Sequence, residues 1–420
     1  MTTALTTNQK RGFWASWGGW ALDGMDSFIY ALVLVPALHD LLPRSGISAT
    51  PENTGYYGGL LFAMFLVGWG FAFLWGPIAD KFGRVRTLVF TILCYSLFTF
   101  LGCLATSVWW LGSFRFLAGV GIGGEWTLGG VFVAEEWPES RRQQGAAWMH
   151  TGYYFGTFLA AVVNYTVGAH YGWRAVFAVG GAPALLVALI RYGVREPMRW
   201  QNRVERWSSR DAFFALFSPE YRRRTIVNAL LLLVSMVGLW AGSVYVPASV
   251  NGIAQREGFN AKDAAEWASY GAMILSLGTI LGCLLLPPLA KRYGRRGALG
   301  FYFILMFAFI AGGFGYVFYL DHALFPFLAC LFFLGIGGAN FAVYTLWLPE
   351  QYRTECRGSA FAFATSFGRF VAAGITFLVG AGVSRMHTIG TPVALTSFAF
   401  LIGLALLPLS VETKNQELPL

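Results

Sequence analysis

The chain has 420 residues, 56% of them hydrophobic and only 12% charged. A soluble domain carries about 25% charged residues, so a water-exposed surface around a chain of this size is excluded. The formal net charge of +9 would suit a nucleic-acid partner only if the basic residues shared one surface, and their spacing shows another use.

Apolar runs of about 20 residues, each long enough to cross a bilayer, recur from end to end. In chain order they predict spans at roughly 13–38, 56–79, 87–106, 109–135, 144–167, 173–194, 225–250, 266–290, 298–319, 324–348, 359–383 and 392–410, twelve in all. Segments on one side hold Lys10, Arg11, Lys81, Arg84, Arg86, Arg141, Arg142, a central arginine-rich loop, Lys291, Arg292, Arg295, Arg296, Arg353, Arg357 and Lys414. Loops on the other side hold only Arg44, Arg256, Lys262 and Arg385. Cytoplasmic loops carry the excess of Lys and Arg, so both termini are expected in the cytoplasm of a cell-membrane protein. The basic balance is topology, and no nucleic acid is expected as a partner. The first run is too long for a cleavable signal peptide and lacks a small-residue cleavage site.

Span 1 contains WALDGMDSFIY, with Asp23 and Asp26 deep in an apolar run. Residues three apart on a helix share a face. Gly24 between them allows close approach of a backbone or a ligand. Two close carboxylates in a dry site cannot easily both ionise, so the pair is expected to hold a proton, with Asp26 the preferred carrier and Asp23 its partner. The alternative is structural, one aspartate capping a helix break or pairing with an arginine. Span 2 leads into GPIADKFGRVR, with Asp80, Lys81, Arg84 and Arg86.

Span 4 carries Arg115 and Glu125, ten residues apart and so roughly on one face. Intramembrane charges are functional candidates and need partners. Glu125 is placed in the proton network. Arg115 either compensates it or the aspartates, or touches the substrate, unless both residues only fix helix packing. Glu135 and Glu136, at the cytoplasmic end, read as salt-bridge partners of loop arginines at a gate. Span 5 adds His150, read as interfacial, and Tyr153, Tyr154 and Asn164. Residues 195–224 form the longest polar stretch and divide the spans six and six.

In the second half, Asn228 lies in span 7, Asn340 and Tyr344 in span 10, and Arg369 alone in span 11. These polar residues and the two tyrosines of span 5 are candidate substrate contacts, each with helix packing as its alternative. A guanidinium at that depth needs water, a counter-ion or an anion, and arginine grips a carboxylate through two parallel hydrogen bonds. Arg369 is therefore expected to bind a substrate carboxylate, the alternative being a structural pair. Val234 and Val237 stand opposite Asp23 and Asp26 in span 7, so the acid pair belongs to one half only. The abundant Trp and Tyr are expected at membrane interfaces. The five cysteines show no metal spacing, and no phosphate-binding Gly-Lys-Ser/Thr loop occurs, so no metal, cofactor or ATP drive is expected.

Two internal matches relate the halves. GPIADKFGRVR after span 2 pairs with PPLAKRYGRRG after span 8, aligning Gly83 with Gly294 at an offset of 211, and GIGG in span 4 recurs in span 10 at an offset of 214. Two repeats of this kind put a binding site between them near mid-membrane. Here the chain resembles the major facilitator superfamily over nearly its whole length. The loop Gly76 to Arg86 is similar to that superfamily's motif between spans 2 and 3, and Arg115-x-x-x-Gly119-x-Gly121 to a second motif. The second copy departs, with Lys291 where Asp80 would stand. Span 5 lacks the Gly-x-x-x-Gly-Pro signature of drug antiporters. ALDGMDSF, GGEW and EEWP look most similar to the sialate/monocarboxylate symporters, with aromatic-acid symporters next.

The resemblance implies an all-α membrane protein of twelve transmembrane helices in two pseudosymmetric six-helix bundles, residues 1–194 and 225–420, joined by a cytoplasmic linker. It also implies that Asp80, Lys81, Arg84 and Arg86 hold a cytoplasmic gate closed. The resulting expectation is a non-enzymatic secondary transporter, working as a monomer in the bilayer, that imports an organic monocarboxylate with protons. A neutral sugar or polyol carrier is the alternative, and a transport-fold sensor or polytopic enzyme is a third.

Overall fold

A computed structural model of the chain describes residues 5–75, 78, 84–124, 126, 130, 133, 137–138, 141–181, 209–416 and 419. Every regular element among them is helical. Span 1 is the helix Thr7–Arg44, started by a capping box in which Thr6 and Gln9 exchange side-chain and backbone hydrogen bonds. Span 2 is Pro51–Gly70, capped by Thr50 and tightened into a 3-10 turn at Phe71–Leu74. Spans 3 and 4 contain Arg84–Gly102 and Val108–Ile122, and span 5 is Arg142–Val163 prolonged by a π-turn at Asn164–Gly168. Span 6 is described through Trp173–Gly180.

The second half departs from simple rods in three places. Span 7 is two helices, Arg222–Ser243 and Val246–Arg256, the second opened by Pro247, whose missing N–H is tolerated only in a first turn. Spans 8 and 9 run together as Ala261–Gly315, with a reversal at Gly294, where φ of 76° excludes most side chains. Span 10 breaks at Ala339 between Leu324–Gly338 and Asn340–Trp347, directly after GIGG. Span 11 is one helix, Thr354–Met386, and span 12 is Gly390–Leu395 with Phe398–Leu406. Part of the polar stretch expected as linker forms a short helix, Ser209–Ala215.

Glycine sets how closely the helices approach. A Cβ on Gly24 would run into the carbonyl oxygen of Tyr153, and one on Gly156 into that of Ala21, so spans 1 and 5 cross in backbone contact. The same contact joins spans 2 and 4 at Gly68 and Gly119, and spans 8 and 10 at Gly278 and Gly335, the repeat expressed as packing. Gly24→Val should therefore cost at least about 2 kcal/mol of stability, because backbone cannot swing aside as a side-chain end can. A thermal midpoint in detergent equal to that of the unsubstituted protein would overturn this.

The halves meet at the end away from the termini and along spans 5 and 8. At the end away from the termini, Gly59 of span 2 lies against Gly380 of span 11, and Glu52 meets His387 at 3.2 Å. Between spans 5 and 8, Thr157 and Ser276 are 2.7 Å apart, and Asn164 donates to Ser269 at 3.0 Å. At the terminal end of the second half, Arg295 grips Glu350 with two bonds of 2.9 and 2.6 Å, and Glu350 also accepts from Thr413. Glu412 accepts from the amides of Arg295 and Arg296, both at 3.0 Å, beside the Gly294 reversal. At the repeat offsets Arg295 and Glu350 answer Arg84 and Glu136. Asp80, Lys81, Glu125, Glu135 and Glu136 lie outside the described residues, and Arg84 is described only as the first residue of its helix.

Candidate functional site

Between the two halves lies a cavity lined by Trp20, Trp69, Trp126, His150, Tyr153 and Tyr154 of the first half, and Met236, Phe341 and Arg369 of the second. Four spans of the first half and three of the second thus supply its wall, as expected for a site between repeats.

Arg369 is buried to 1% exposure, carried by the long span-11 helix. Its guanidinium carbon sits 4.3 Å from the Trp69 ring centre and 5.6 Å from that of Trp126. Both rings come from the other half, so the cation leans across the interface onto indole faces, an arrangement that stabilises a desolvated cation by about 2 kcal/mol. Stacking occupies the face of the guanidinium and leaves its in-plane N–H groups for an acceptor. Among the described residues Nε has none. Asp23 and Tyr153 lie within electrostatic reach of this charge.

Asp26 takes a different environment from Asp23. Thr99 of span 3 donates to its Oδ1, Arg115 donates to the same Thr99 hydroxyl, and Arg115 stands 3.5 Å from the carboxylate. All of this is dry, with Asp26 1% and Arg115 0% exposed. The Arg115 guanidinium carbon is 5.1 Å from the Phe177 ring and 5.9 Å from that of Phe65. Of the two roles weighed for Arg115, compensation of an aspartate describes where it sits. It does not line the cavity.

The remaining polar candidates divide similarly. Tyr153 and Tyr154 line the cavity, Tyr153 with its ring 4.8 Å from Trp20, and Tyr154 donating to Gly338 across the interface at 3.1 Å. Tyr344 meets Ser235 at 3.0 Å, and Asn340 donates to Gly337 at 2.9 Å beside the span-10 break. Asn228 donates to Gln351 and Tyr352, near the terminal face and away from the cavity.

Two expectations are corrected. His150, read as interfacial, is 2% exposed in the cavity wall, because span 5 begins at Arg142 and places it two turns inside. Tryptophans were assigned wholesale to interfaces. Trp109 and Trp110 are indeed exposed, but Trp20, Trp69 and Trp126 are buried around the cavity. A signal existed: Trp20 precedes Asp23 by three residues and so shares its face.

Comparison with known proteins agrees with this architecture. A "probable 4-methylmuconolactone transporter" of Cupriavidus pinatubonensis is 30% identical, covering 96% of this chain and 92% of that protein. A sialic acid transporter of Escherichia coli is 29% identical over 50% of this chain and 49% of its own. Among solved structures, a proton:xylose symporter superposes with a TM-score of 0.76 at 18% identity, covering 98% of both chains. The model of the Major Facilitator Superfamily matches residues 17–376, and with two glycine-packed helical repeats closing on a cavity between them, the chain belongs to that superfamily and is a membrane transporter rather than an enzyme.

Proposed function

We propose that the protein imports a small organic monocarboxylate together with protons by alternating access. The halves 1–194 and 225–420 would rock about the cavity, with the linker 195–224 and both termini in the cytoplasm, in a cell membrane and as a monomer. The observation that carries this reading is Arg369, a fully buried guanidinium in the wall of an inter-repeat cavity, stacked on Trp69 with an in-plane donor unused among the described residues. Such a group recognises a carboxylate bidentately.

The two aspartates divide the proton chemistry. Asp23 answers the charge of Arg369 across the interface, so an incoming carboxylate displaces it and the freed group takes up a proton. One anion and one proton then cross together without net charge at the site. Asp26 holds the buried charge of Arg115 and passes the proton on when that pair opens. Glu125, beside cavity-lining Trp126 in sequence, is placed in the same network, and Asp80, Lys81, Arg84, Glu135 and Glu136 in the gate, with the Arg295–Glu350 clasp of the other repeat as its pattern.

The wall supports a compact, flat acid. Aromatic rings dominate the wall, and flat faces of this kind pack against a flat ligand. A polyhydroxylated sugar acid or a neutral sugar would leave many hydroxyls without partners, at about 1–3 kcal/mol each. The relative named for a muconolactone agrees.

The test is uptake into proteoliposomes with an inward proton gradient, comparing benzoate, 4-hydroxybenzoate, lactate, sialic acid and xylose. Benzoate-type acids should accumulate, and collapsing the gradient should abolish accumulation. Xylose uptake in preference to every acid would replace this reading with the sugar carrier. Acid flux indifferent to the gradient would remove the proton.

A further inference from the structure

We propose that Trp126 couples occupation of the Arg369 site to opening of the cavity floor, the side nearer the termini. The inference rests on the reading that an acid binds at Arg369 and adds the device that reports it.

One side chain faces both tasks. The Trp126 ring centre is 5.6 Å from the Arg369 guanidinium and stacks on Trp20 at 5.8 Å, so it forms part of the wall an acid would touch. Its Nε1–H points the other way and donates to Thr345 Oγ1 at 3.1 Å. Trp126 belongs to span 4 and Thr345 to span 10, so this bond crosses the interface along which the repeats separate. Thr345 Oγ1 also stands 3.3 Å from Nδ1 of His150, on span 5 of the first half.

The indole N–H can only donate, so the threonine oxygen accepts from it, and the same hydroxyl pairs with Nδ1 of His150. Every polar atom along Trp126, Thr345 and Nδ1 is then satisfied, and the three residues are no more than 2% exposed. Phe361 closes the same floor, its ring centre 5.0 Å from that of Trp126 in an edge-to-face contact. In so dry a place each hydrogen bond is strong and each orphaned partner costly.

The opposite closure is built differently. There the halves touch through Gly59 and Gly380 and through the Glu52–His387 pair, none of which belongs to the cavity wall. An acid seated on Arg369 lies against the Trp126 ring and tilts it. Tilting draws Nε1–H off Thr345, and the floor loses its link between the repeats while the glycine contact is untouched. Occupation thus favours release toward the termini, the direction import requires.

The experiment measures the floor directly. Spin labels replace Gln144 at the start of span 5 and Arg353 at the start of span 11, both exposed near the terminal face, in a chain whose five cysteines are first replaced. Distances between labels are read by pulsed electron paramagnetic resonance with and without benzoate. Trp126→Phe keeps a ring in the wall and deletes the donor, and Thr345→Val keeps the shape and deletes the acceptor. Without benzoate, each variant should raise the ratio of separated to closed populations about fivefold, the effect of one buried neutral hydrogen bond. The unsubstituted protein should show that shift only when benzoate is added.

A variant that keeps the closed distribution overturns the proposal. So does a shift in Trp126→Phe alone, which would trace the effect to ring packing rather than to the bond. Calorimetric titration with benzoate on the same samples separates the two readings. Absence of binding overturns the acid site, whereas binding without separation overturns the coupling.

Discussion

Replacing Arg369 with lysine should weaken acid binding by about two orders of magnitude, although the positive charge is kept. Two charge-assisted hydrogen bonds are worth about 1.5–3 kcal/mol each, and a compact ammonium cannot offer them in the parallel geometry of a guanidinium fork. Lysine also loses the planar face that lies 4.3 Å over Trp69, so nothing holds its charge at the cavity wall. Arg369→Gln should do worse, because it removes the charge altogether. The measurement is the apparent affinity for benzoate by calorimetry or by concentration dependence of uptake. Equal affinities for the lysine variant and the unsubstituted protein would reject the role of Arg369.

Asp26→Asn should act first on stability, lowering it by about 3–5 kcal/mol, because it strands the Arg115 charge in a dry interior. Asparagine still bonds Thr99 but brings no negative charge to a guanidinium that is 0% exposed. Arg115→Met placed in the same molecule should recover most of the loss, since an absent pair costs less than a broken one. Asp23→Asn leaves that pair intact. It should abolish accumulation driven by the proton gradient while exchange of internal for external acid persists. Thermal unfolding in detergent and the ratio of net uptake to exchange read the two effects separately. An Asp26→Asn protein as stable as its parent would show that Arg115 finds its counter-charge elsewhere, and an Asp23→Asn protein that still concentrates acid would remove Asp23 from the coupling.

Much of this was legible along the chain. Apolar runs forecast the spans and their order. Gly24 was expected to admit a close neighbour, and Tyr153 of span 5 is that neighbour. Arg369 was singled out as a lone intramembrane cation, and it lines the cavity. The polar residues were harder: Asn228 resembles Tyr153 as a candidate, yet it bonds Gln351 near the terminal face while Tyr153 stacks on Trp20 in the wall. Depth along the helix decides between them, Asn228 standing in the second turn of Arg222–Ser243 and Tyr153 in the fourth of Arg142–Val163. Tryptophans were misread for a related reason, since an indole suits a membrane interface and a ligand wall equally well.

The membrane class, the duplicated halves and the presence of the span-1 aspartate pair in one half only are properties of composition and spacing, which solvent imposes residue by residue. The partners of the charges are not. Arg115 and Arg369 are each a cation flanked by apolar helix on both sides. Packing turned Arg115 onto Thr99 and Asp26 within its own half, and turned Arg369 across the interface onto Trp69. That choice depends on how helices distant in sequence rotate against one another, and only the tertiary structure contains it.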